Sequence, residues 1–224
     1  MQDDNKTIFF YKDQTENSEM DIRGVAWVNT NIAKKSGLKI KFTPNILVDN
    51  SYYGFQKYPQ GVAFILTSNP TKNMIGEKRS GIGFDGIYNS IAFFFDFITN
   101  PDKQDMNNPH FSITYNLNGA ISSACRDVNL CNLDIPNFYD REKDEFLSNM
   151  KVSIELYGGK VKIYFDDLIK PIFTIPFTQF GEIMDREEVY FGISSSMTQN
   201  KGVKIHNLQL MNSKFIFSFF TFFN

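Results

Sequence analysis

Short runs of strand-type hydrophobic pattern recur along almost the whole chain, and they limit what it can fold into more than any other feature. Each run is apolar or alternates apolar with polar residues, and clusters of Gly, Asn, Pro and Asp separate the runs. No run of helical period stands between most of them, so the sequence favours an antiparallel sandwich or barrel over a βαβ fold. The predicted strands are 39–42, 61–66, 90–95, 111–115, 152–156, 161–165, 172–175, 189–193 and 203–210.

A hairpin is the clearest local prediction. Two alternating runs, 152–157 and 160–165, flank Gly158 and Gly159. Glycine readily adopts the positive φ angles that a two-residue hairpin turn requires at both central positions. The one helix we expect is the acidic segment 140–149, with a length of one or two turns.

Length and composition fit one large all-β domain or two small ones. The chain has 224 residues, a formal net charge of −2 and 21% charged residues, with no basic stripe interleaved with aromatic residues. This balance argues against nucleic acid as a main partner. The first six residues, MQDDNK, do not have the character of a secretory signal, and no apolar run reaches the roughly 18 residues of a membrane span.

Two further segments leave alternatives open. Cys125 and Cys131 are close enough in sequence for a local disulfide but are equally compatible with two free thiols, and they do not complete a zinc site. The aromatic, uncharged tail 215–224 has three interpretations: an added edge strand, the start of a membrane anchor, or a translated non-coding stretch. We favour a tail that is not an integral part of the fold.

The segment most informative about function is 81–118. An apolar strand leads into Asp96, and the polar loop that follows contains Asn100, Asp102 and Asp105. Carboxylate, amide and carbonyl oxygens are the ligands that Ca²⁺ prefers, and the ion takes six to eight of them. From the residues alone, an ordinary solvated loop is the favoured interpretation.

A series of segments resembles the L-type (legume-type) lectin family in the same order along the chain. They are GVAW at 24–27 with SGLKIKF at 36–42, GVAFIL at 61–66, GIGF at 81–84, NSIA at 89–92 with FD at 95–96, VYFGISSS at 189–196, and the closing strand 205–210. The resemblance implies an all-β, antiparallel jelly-roll β-sandwich of the concanavalin type. It also implies a lectin-like domain over 1–213 that lacks the family's first strand or strands, followed by the apolar tail 214–224.

The resemblance implies calcium-dependent binding of glycans or glycoproteins, with mannose-type oligosaccharides as the expected class. The family's calcium ligands fall on Asp96, the carbonyl of Ile98, Asn100 and Asp105, with Asp102 as the alternative to Asp105. The family's sugar-lining positions fall on Gln60, Gly81, Ile82, Asn100, Ser196, Met197 and Thr198. A location in the secretory pathway or outside the cell also follows by resemblance, whereas the oligomeric state does not.

Two departures from the family pattern matter. Gln60 replaces an Asp whose carboxylate accepts hydrogen bonds from sugar, and charge-assisted hydrogen bonds are about twice as strong as neutral ones. Phe94 replaces the Glu that holds a transition metal in plant members, so we expect no second metal site and a structural role for His110. The same loss characterises the calcium-only, cargo-receptor-like branch, to which this chain is more similar.

An enzyme of the glycoside hydrolase type would need two carboxylates flanking the scissile bond, about 5–9.5 Å apart. The strand 93–97 offers the single acid Asp96, and no nucleophile, zinc or phosphate-loop motif is present. We therefore predict that the protein is not an enzyme. The alternative to glycan binding is a structural or protein-interaction sandwich with a vestigial sugar site.

Overall fold

A computed structural model describes the backbone of residues 8–10, 22–33, 37–48, 60–68, 75–76, 81–97, 110–117, 120–123, 132–134, 139–140, 145–146, 151–166, 169–180, 188–197, 201–211 and 219–223. Within these ranges the chain forms strands and one turn of 3-10 helix at Phe177–Phe180. The strands are β1 Ile8–Phe10, β2 Ile22–Ala33, β3 Leu38–Val48, β4 Gly61–Thr67, β5 Ser90–Asp96, β6 His110–Leu117, β7 Ala120–Ser123, β8 Asn132–Asp134, β9 Tyr139–Asp140, β10 Glu145–Phe146, β11 Val152–Tyr157, β12 Lys160–Phe165, β13 Phe173–Pro176, β14 Glu188–Met197, β15 Lys201–Met211 and β16 Phe219–Phe223.

All the strands except β9 and β10, which pair with each other, form two antiparallel sheets that pack face to face. One sheet has the order β1-β15-β3-β11-β12-β13, and the other has the order β16-β2-β14-β4-β5-β6-β7, with β8 also paired to β6. Every strand run predicted from the sequence overlaps a strand in the structure, and only Ile172, at the start of the run 172–175, lies outside its strand. The all-β, antiparallel jelly-roll prediction is confirmed.

Alternation along the strands builds the core between the sheets. Residues one apart point to opposite faces of a strand, so Phe93 and Phe95 of β5 face the six-stranded sheet. Phe95, Phe111 and Phe165 meet there with ring centroids 5.1–5.9 Å apart in edge-to-face contacts. Such aromatic pairs stabilise a core by about 0.5–1.5 kcal/mol each beyond the burial of their area.

A second apolar layer covers the other face of the eight-stranded sheet. Residues 81–87 lie over this face, where Ile82, Phe84 and Ile87 pack against Trp27 and Phe94. Both faces of β4 and β5 are therefore buried along their full length. This double burial accounts for the continuous apolar runs at 61–66 and 91–95, because a strand with one wet face would alternate.

The predicted hairpin is confirmed, and the predicted helix is wrong. Gly158 and Gly159 have φ angles of 61° and 74° and join β11 to β12. In the segment 140–149, by contrast, Glu145–Phe146 is a strand that pairs with Tyr139–Asp140. A helix this short is marginal on its own, whereas aromatic residues such as Tyr139 and Phe146 suit a paired strand.

The C-terminal segment differs from our favoured interpretation. Phe219–Phe223 pairs with Gly24–Val28 of β2 as the edge strand of the eight-stranded sheet. This pairing corresponds to the first of the three interpretations, an added edge strand. The division of the chain at residue 213 stays a prediction. None of the residues that the structure describes belongs to a helix long and apolar enough to cross a membrane.

Candidate functional site

Five strands of the eight-stranded sheet bring polar residues together at one end of the sheet. β4 begins there, β5 and β14 end there, and β2 and β6 begin there, because neighbouring strands run in opposite directions. The paired positions form one continuous row across the sheet, which we call the site row. The row consists of Arg23, Ser196, Gly61, Asp96 and His110, and it continues to Asp134 of β8.

Gly61 lies at the centre of the site row, and the atoms around it leave no room for a larger residue. A Cβ at this position would lie 2.3 Å from the carbonyl oxygen of Phe95 and 2.9 Å from Cδ1 of Ile82. The hydroxyl of Ser195 donates a buried 2.7 Å hydrogen bond to the Gly61 carbonyl. Close approach of β5 and the 81–87 segment therefore depends on the missing side chain.

The backbone of Gln60 is fixed between two neighbouring strands. Its N–H donates to the carbonyl of Ser196 at 3.1 Å, and its carbonyl accepts from the N–H of Phe97 at 2.9 Å. Gln60 is only 2% exposed. The Gln60 side chain is therefore buried within the protein.

Asp96 ends β5 next to His110, and both are buried, Asp96 with 7% exposure. Asp96 shares its face of the strand with Phe94, as the spacing of two residues predicts. Phe94 packs against Phe84 with the ring centroids 5.2 Å apart in an edge-to-face arrangement. Phe94, which we expected to stand in place of a metal-binding Glu, is thus a packing residue of the second apolar layer.

The backbone of Gly81 and Ile82 is engaged within the protein. The Gly81 carbonyl accepts from the N–H groups of Phe84 at 2.7 Å and Asp85 at 3.1 Å, and the Ile82 carbonyl accepts from the hydroxyl of Ser194 at 2.7 Å. Ile82 is fully buried and has a φ angle of 47°. A β-branched residue adopts this left-handed conformation only where its surroundings impose it.

The remaining predicted site residues are only partly described. Met197 is the last residue of β14 and pairs with Ile22, while Ser196 is buried in the site row. Ile98, Asn100, Asp102, Asp105 and Thr198 lie outside the described residues. Within the described ranges no group of three His, Cys, Asp or Glu side chains gathers at a possible metal position. The proposed ligand set stays a prediction.

Arg23 and Ser194 belong to this region, although the sequence did not single them out. The guanidinium of Arg23 donates through Nη1 to the carbonyl of Gly76, and Ser194 donates to Ile82. Both side chains alternate with core residues of their strands and so lie on the face that carries Asp96. The alternation of serine with apolar residues in GISSS, residues 192–196, was the available signal for Ser194.

A charged network with shifted pKa values lies on the other sheet. Burial and the Glu155 carboxylate raise the pKa of Tyr164 to about 12, and the Tyr164 hydroxyl donates a 2.8 Å hydrogen bond to that carboxylate. Burial alone would raise the pKa of Glu155, but hydrogen bonds from Lys39 and Tyr164 lower it overall. These residues are on β3, β11 and β12, in the sheet that does not carry the site row.

Comparison with known proteins identifies the fold. No protein-family model and no curated protein matches the sequence. Among solved structures, winged bean acidic lectin with methyl-α-D-galactose matches with 18% identity and a TM-score of 0.57, over 84% of this chain and 78% of that one. The VIP36 exoplasmic/lumenal domain with Ca²⁺ and Man3GlcNAc matches with 15% identity and a TM-score of 0.56, over 94% and 80%.

Peanut lectin with a nine-residue peptide matches with 13% identity and a TM-score of 0.58, over 95% of each chain. The class of structure is therefore the legume-lectin-like jelly-roll sandwich. The similar structures include both plant lectins and VIP36.

Proposed function

We propose that this protein is a non-enzymatic, calcium-dependent carbohydrate-binding protein whose site lies at the Asp96 end of the eight-stranded sheet. The observation that carries the proposal is the site row, in which Gly61, Asp96 and Ser196 occupy paired positions on three adjacent strands. Two strand spacings separate Asp96 from Ser196, a distance of about 10 Å that suits one or two sugar rings. The structural similarity to lectins crystallised with galactose-type and mannose-type ligands supports this assignment.

Calcium would be held at the end of β5. Asp96 contributes a buried carboxylate at a strand end, a hard oxygen donor of the type that Ca²⁺ prefers. The carbonyl of Ile98 and the side chains of Asn100 and Asp105, or Asp102, would complete the protein ligands. Phe94 is an aromatic packing residue with no donor atom, so we propose that no transition-metal site accompanies the calcium.

The sugar would be bound beside the calcium. Gln60, Gly81, Ile82, Asn100, Ser196, Met197 and Thr198 are the proposed contacts. Because the carbonyls of Gly81 and Ile82 already accept hydrogen bonds within the protein, these two residues would contribute mainly through their N–H groups and their shape. We propose mannose-type oligosaccharides as the ligand class and the secretory pathway or the extracellular space as the location.

A second candidate function is a structural or protein-interaction sandwich with a vestigial sugar site. The observation that favours it is Gln60, which is neutral and 2% exposed where the family has a charged sugar acceptor. Sugar sites are shallow, so the loss of one charge-assisted hydrogen bond removes a large part of their affinity.

Glycan-array binding with and without a calcium chelator distinguishes the two. We expect binding to mannose-type glycans that is lost on chelation, together with a melting temperature that rises with calcium because the ion binds only the folded state. Manganese should give no separate binding isotherm. Glycan binding that survives chelation, or an unchanged melt over millimolar calcium, would refute the calcium site. A folded protein that binds no glycan would establish the second function.

Matched variants sharpen this test. Asp96→Asn removes one charge at the site and should abolish both glycan binding and the stabilisation by calcium. Asp166→Asn makes the same chemical change at an exposed turn of the other sheet, where Asp166 has a φ angle of 53° that Asn tolerates. This control should keep both properties. An equal loss in the two variants would argue against a specific role for Asp96.

A further inference from the structure

We propose that Arg23 is a positioning residue of the glycan site, which holds the loop carrying Gly81 and Ile82 in a preformed conformation. The proposal rests on the proposed function, because it concerns the affinity of that same site. Arg23 is the position of the site row next to Ser196, at the start of β2. It therefore pairs with the end of β14 and also bonds to the carbonyl of Gly76.

The contact that Arg23 makes is specific. Its Nη1 donates to the carbonyl of Gly76, and the N–H of Gly76 in turn donates to the carbonyl of Gly83 at 2.8 Å. The guanidinium is thus connected through one residue to the turn that contains Ile82. Hydrogen bonds from a charged donor are stronger than neutral ones, so the bond from Arg23 to Gly76 is stronger than the neutral bond from Gly76 to Gly83.

Ser194 provides a separate connection from β14. Its hydroxyl donates to the Ile82 carbonyl at 2.7 Å in a fully buried position. Ile82 has a left-handed φ angle of 47°. β14 binds it directly through Ser194, and β2 binds Gly76 through Arg23. A residue remains in such a sparsely populated conformation only when its surroundings determine it.

The segments around Gly76 and residues 81–87 are closely packed, which leaves little space for another loop conformation. A Cβ on Gly76 would lie 2.4 Å from the carbonyl carbon of Phe84 and 2.5 Å from the carbonyl oxygen of Asp85. The Cδ1 atom of Ile82 already fills the space above Gly61, two residues along the row from Arg23. Ile82 and Gly61 are therefore packed together, and Arg23 bonds to the carbonyl of Gly76 from the β2 side.

If Arg23 holds the loop in a preformed conformation, removal of its donors should weaken the affinity for glycan. A loop that must be ordered by its ligand binds that ligand more weakly, because ordering is then part of the binding reaction. Arg23→Met keeps the apolar stem and removes the donors. We expect it to weaken glycan binding about tenfold, in line with the loss of a hydrogen bond to a charged group. Calcium affinity should stay within twofold, because Asp96 lies on the far side of Gly61.

Hydrogen exchange on the full-length protein provides the second readout. Amides of the peptide 75–87 should exchange at least tenfold faster in Arg23→Met, while those of β11 and β12 stay unchanged. Arg23→Lys, which retains a charged donor, should restore part of the affinity. Gly76→Ala should also weaken glycan binding and speed exchange, because the added methyl group displaces the same loop. This variant replaces Arg23→Met in the test if Arg23→Met does not fold. Lys160→Met, an exposed residue of the other sheet with the same change in charge, is the control.

The outcomes separate this proposal from the proposed function. Unchanged glycan affinity together with unchanged exchange in 75–87 would overturn the role of Arg23. Parallel losses of glycan affinity, calcium affinity and thermal stability would also overturn it, because they would indicate a purely structural role. If the unsubstituted protein binds no glycan, the proposed function fails, and the exchange rates alone then decide whether Arg23 orders the loop.

Discussion

Removal of the Phe94 ring is the most direct test of the layer that covers the site-bearing face of the sheet. Phe94 is 8% exposed and packs edge-to-face on Phe84 at 5.2 Å. Truncation of a buried Phe to Ala costs about 3–5 kcal/mol, of which the aromatic pair accounts for roughly 1 kcal/mol. Because Phe94 lies under a loop rather than between two sheets, part of the cavity can close. We therefore expect a loss of about 3–4 kcal/mol for Phe94→Ala.

This loss should be visible as a lower melting temperature. For a domain of this size, 1 kcal/mol corresponds to roughly 2–4 °C, so the melting temperature should fall by roughly 6–16 °C. Differential scanning calorimetry and urea unfolding measure the change independently. Tyr88→Ala removes an aromatic side chain that is 50% exposed and should cost about 1 kcal/mol or less.

A double-mutant cycle completes the experiment. Phe84→Ala and Phe94→Ala together should be less destabilising than the sum of the single variants, with a coupling of about 1 kcal/mol. A loss below about 1 kcal/mol for Phe94→Ala alone would show that the ring is not part of a packed layer. The assignment of the 81–87 segment to that face would then be wrong.

Two other predictions follow from the edge strand and from the charged network. Deletion of residues 214–224 should lower the melting temperature by several degrees and promote self-association, because it removes Phe219–Phe223 from the edge of β2. An unchanged melt would instead favour a tail that is not part of the fold. Relative to Tyr164→Phe, the unsubstituted protein should be more stable below pH 10 than above pH 12 by at most about 3 kcal/mol, since burial, with the Glu155 carboxylate, raises the pKa of Tyr164 from 10.0 to about 12 on folding. That advantage should be lost as the pH rises from about 10 to 12. Urea unfolding of both proteins across this range measures it, and a constant difference would contradict the raised pKa of Tyr164.

The fold could be predicted from the sequence because each strand carries its own local signal. Alternation and turn residues determined the strand runs, and the glycine pair at 158–159 determined a hairpin. β2 carried no such clear signal, although its GVAW motif was recognised. The short pair β9 and β10 was mistaken for a helix because an acidic segment with few apolar residues resembles one when its pairing partner is unknown.

The site could be predicted only in part, because its geometry depends on register between distant strands. The motif at 95–96 indicated Asp96, and the spacing placed Phe94 on the same face. Nothing in the sequence showed that Arg23 would stand next to Ser196, or that Ile82 would be buried with its carbonyl bound to Ser194. These contacts arise from the order of strands in the sheet, which local patterns do not encode.

The site row has a consequence for how the protein becomes functional during folding. Ser195 and Gly61 are 134 positions apart in the chain, and Ser194 and Ile82 are 112 apart. Contacts between such distant segments form late and slowly, because the chain loses the entropy of closing a long loop before the contacts can stabilise it. No fragment that ends before β14 contains both sides of the site. Ligand binding would therefore require β14, and a nascent or clipped chain that ends before Glu188 would not bind.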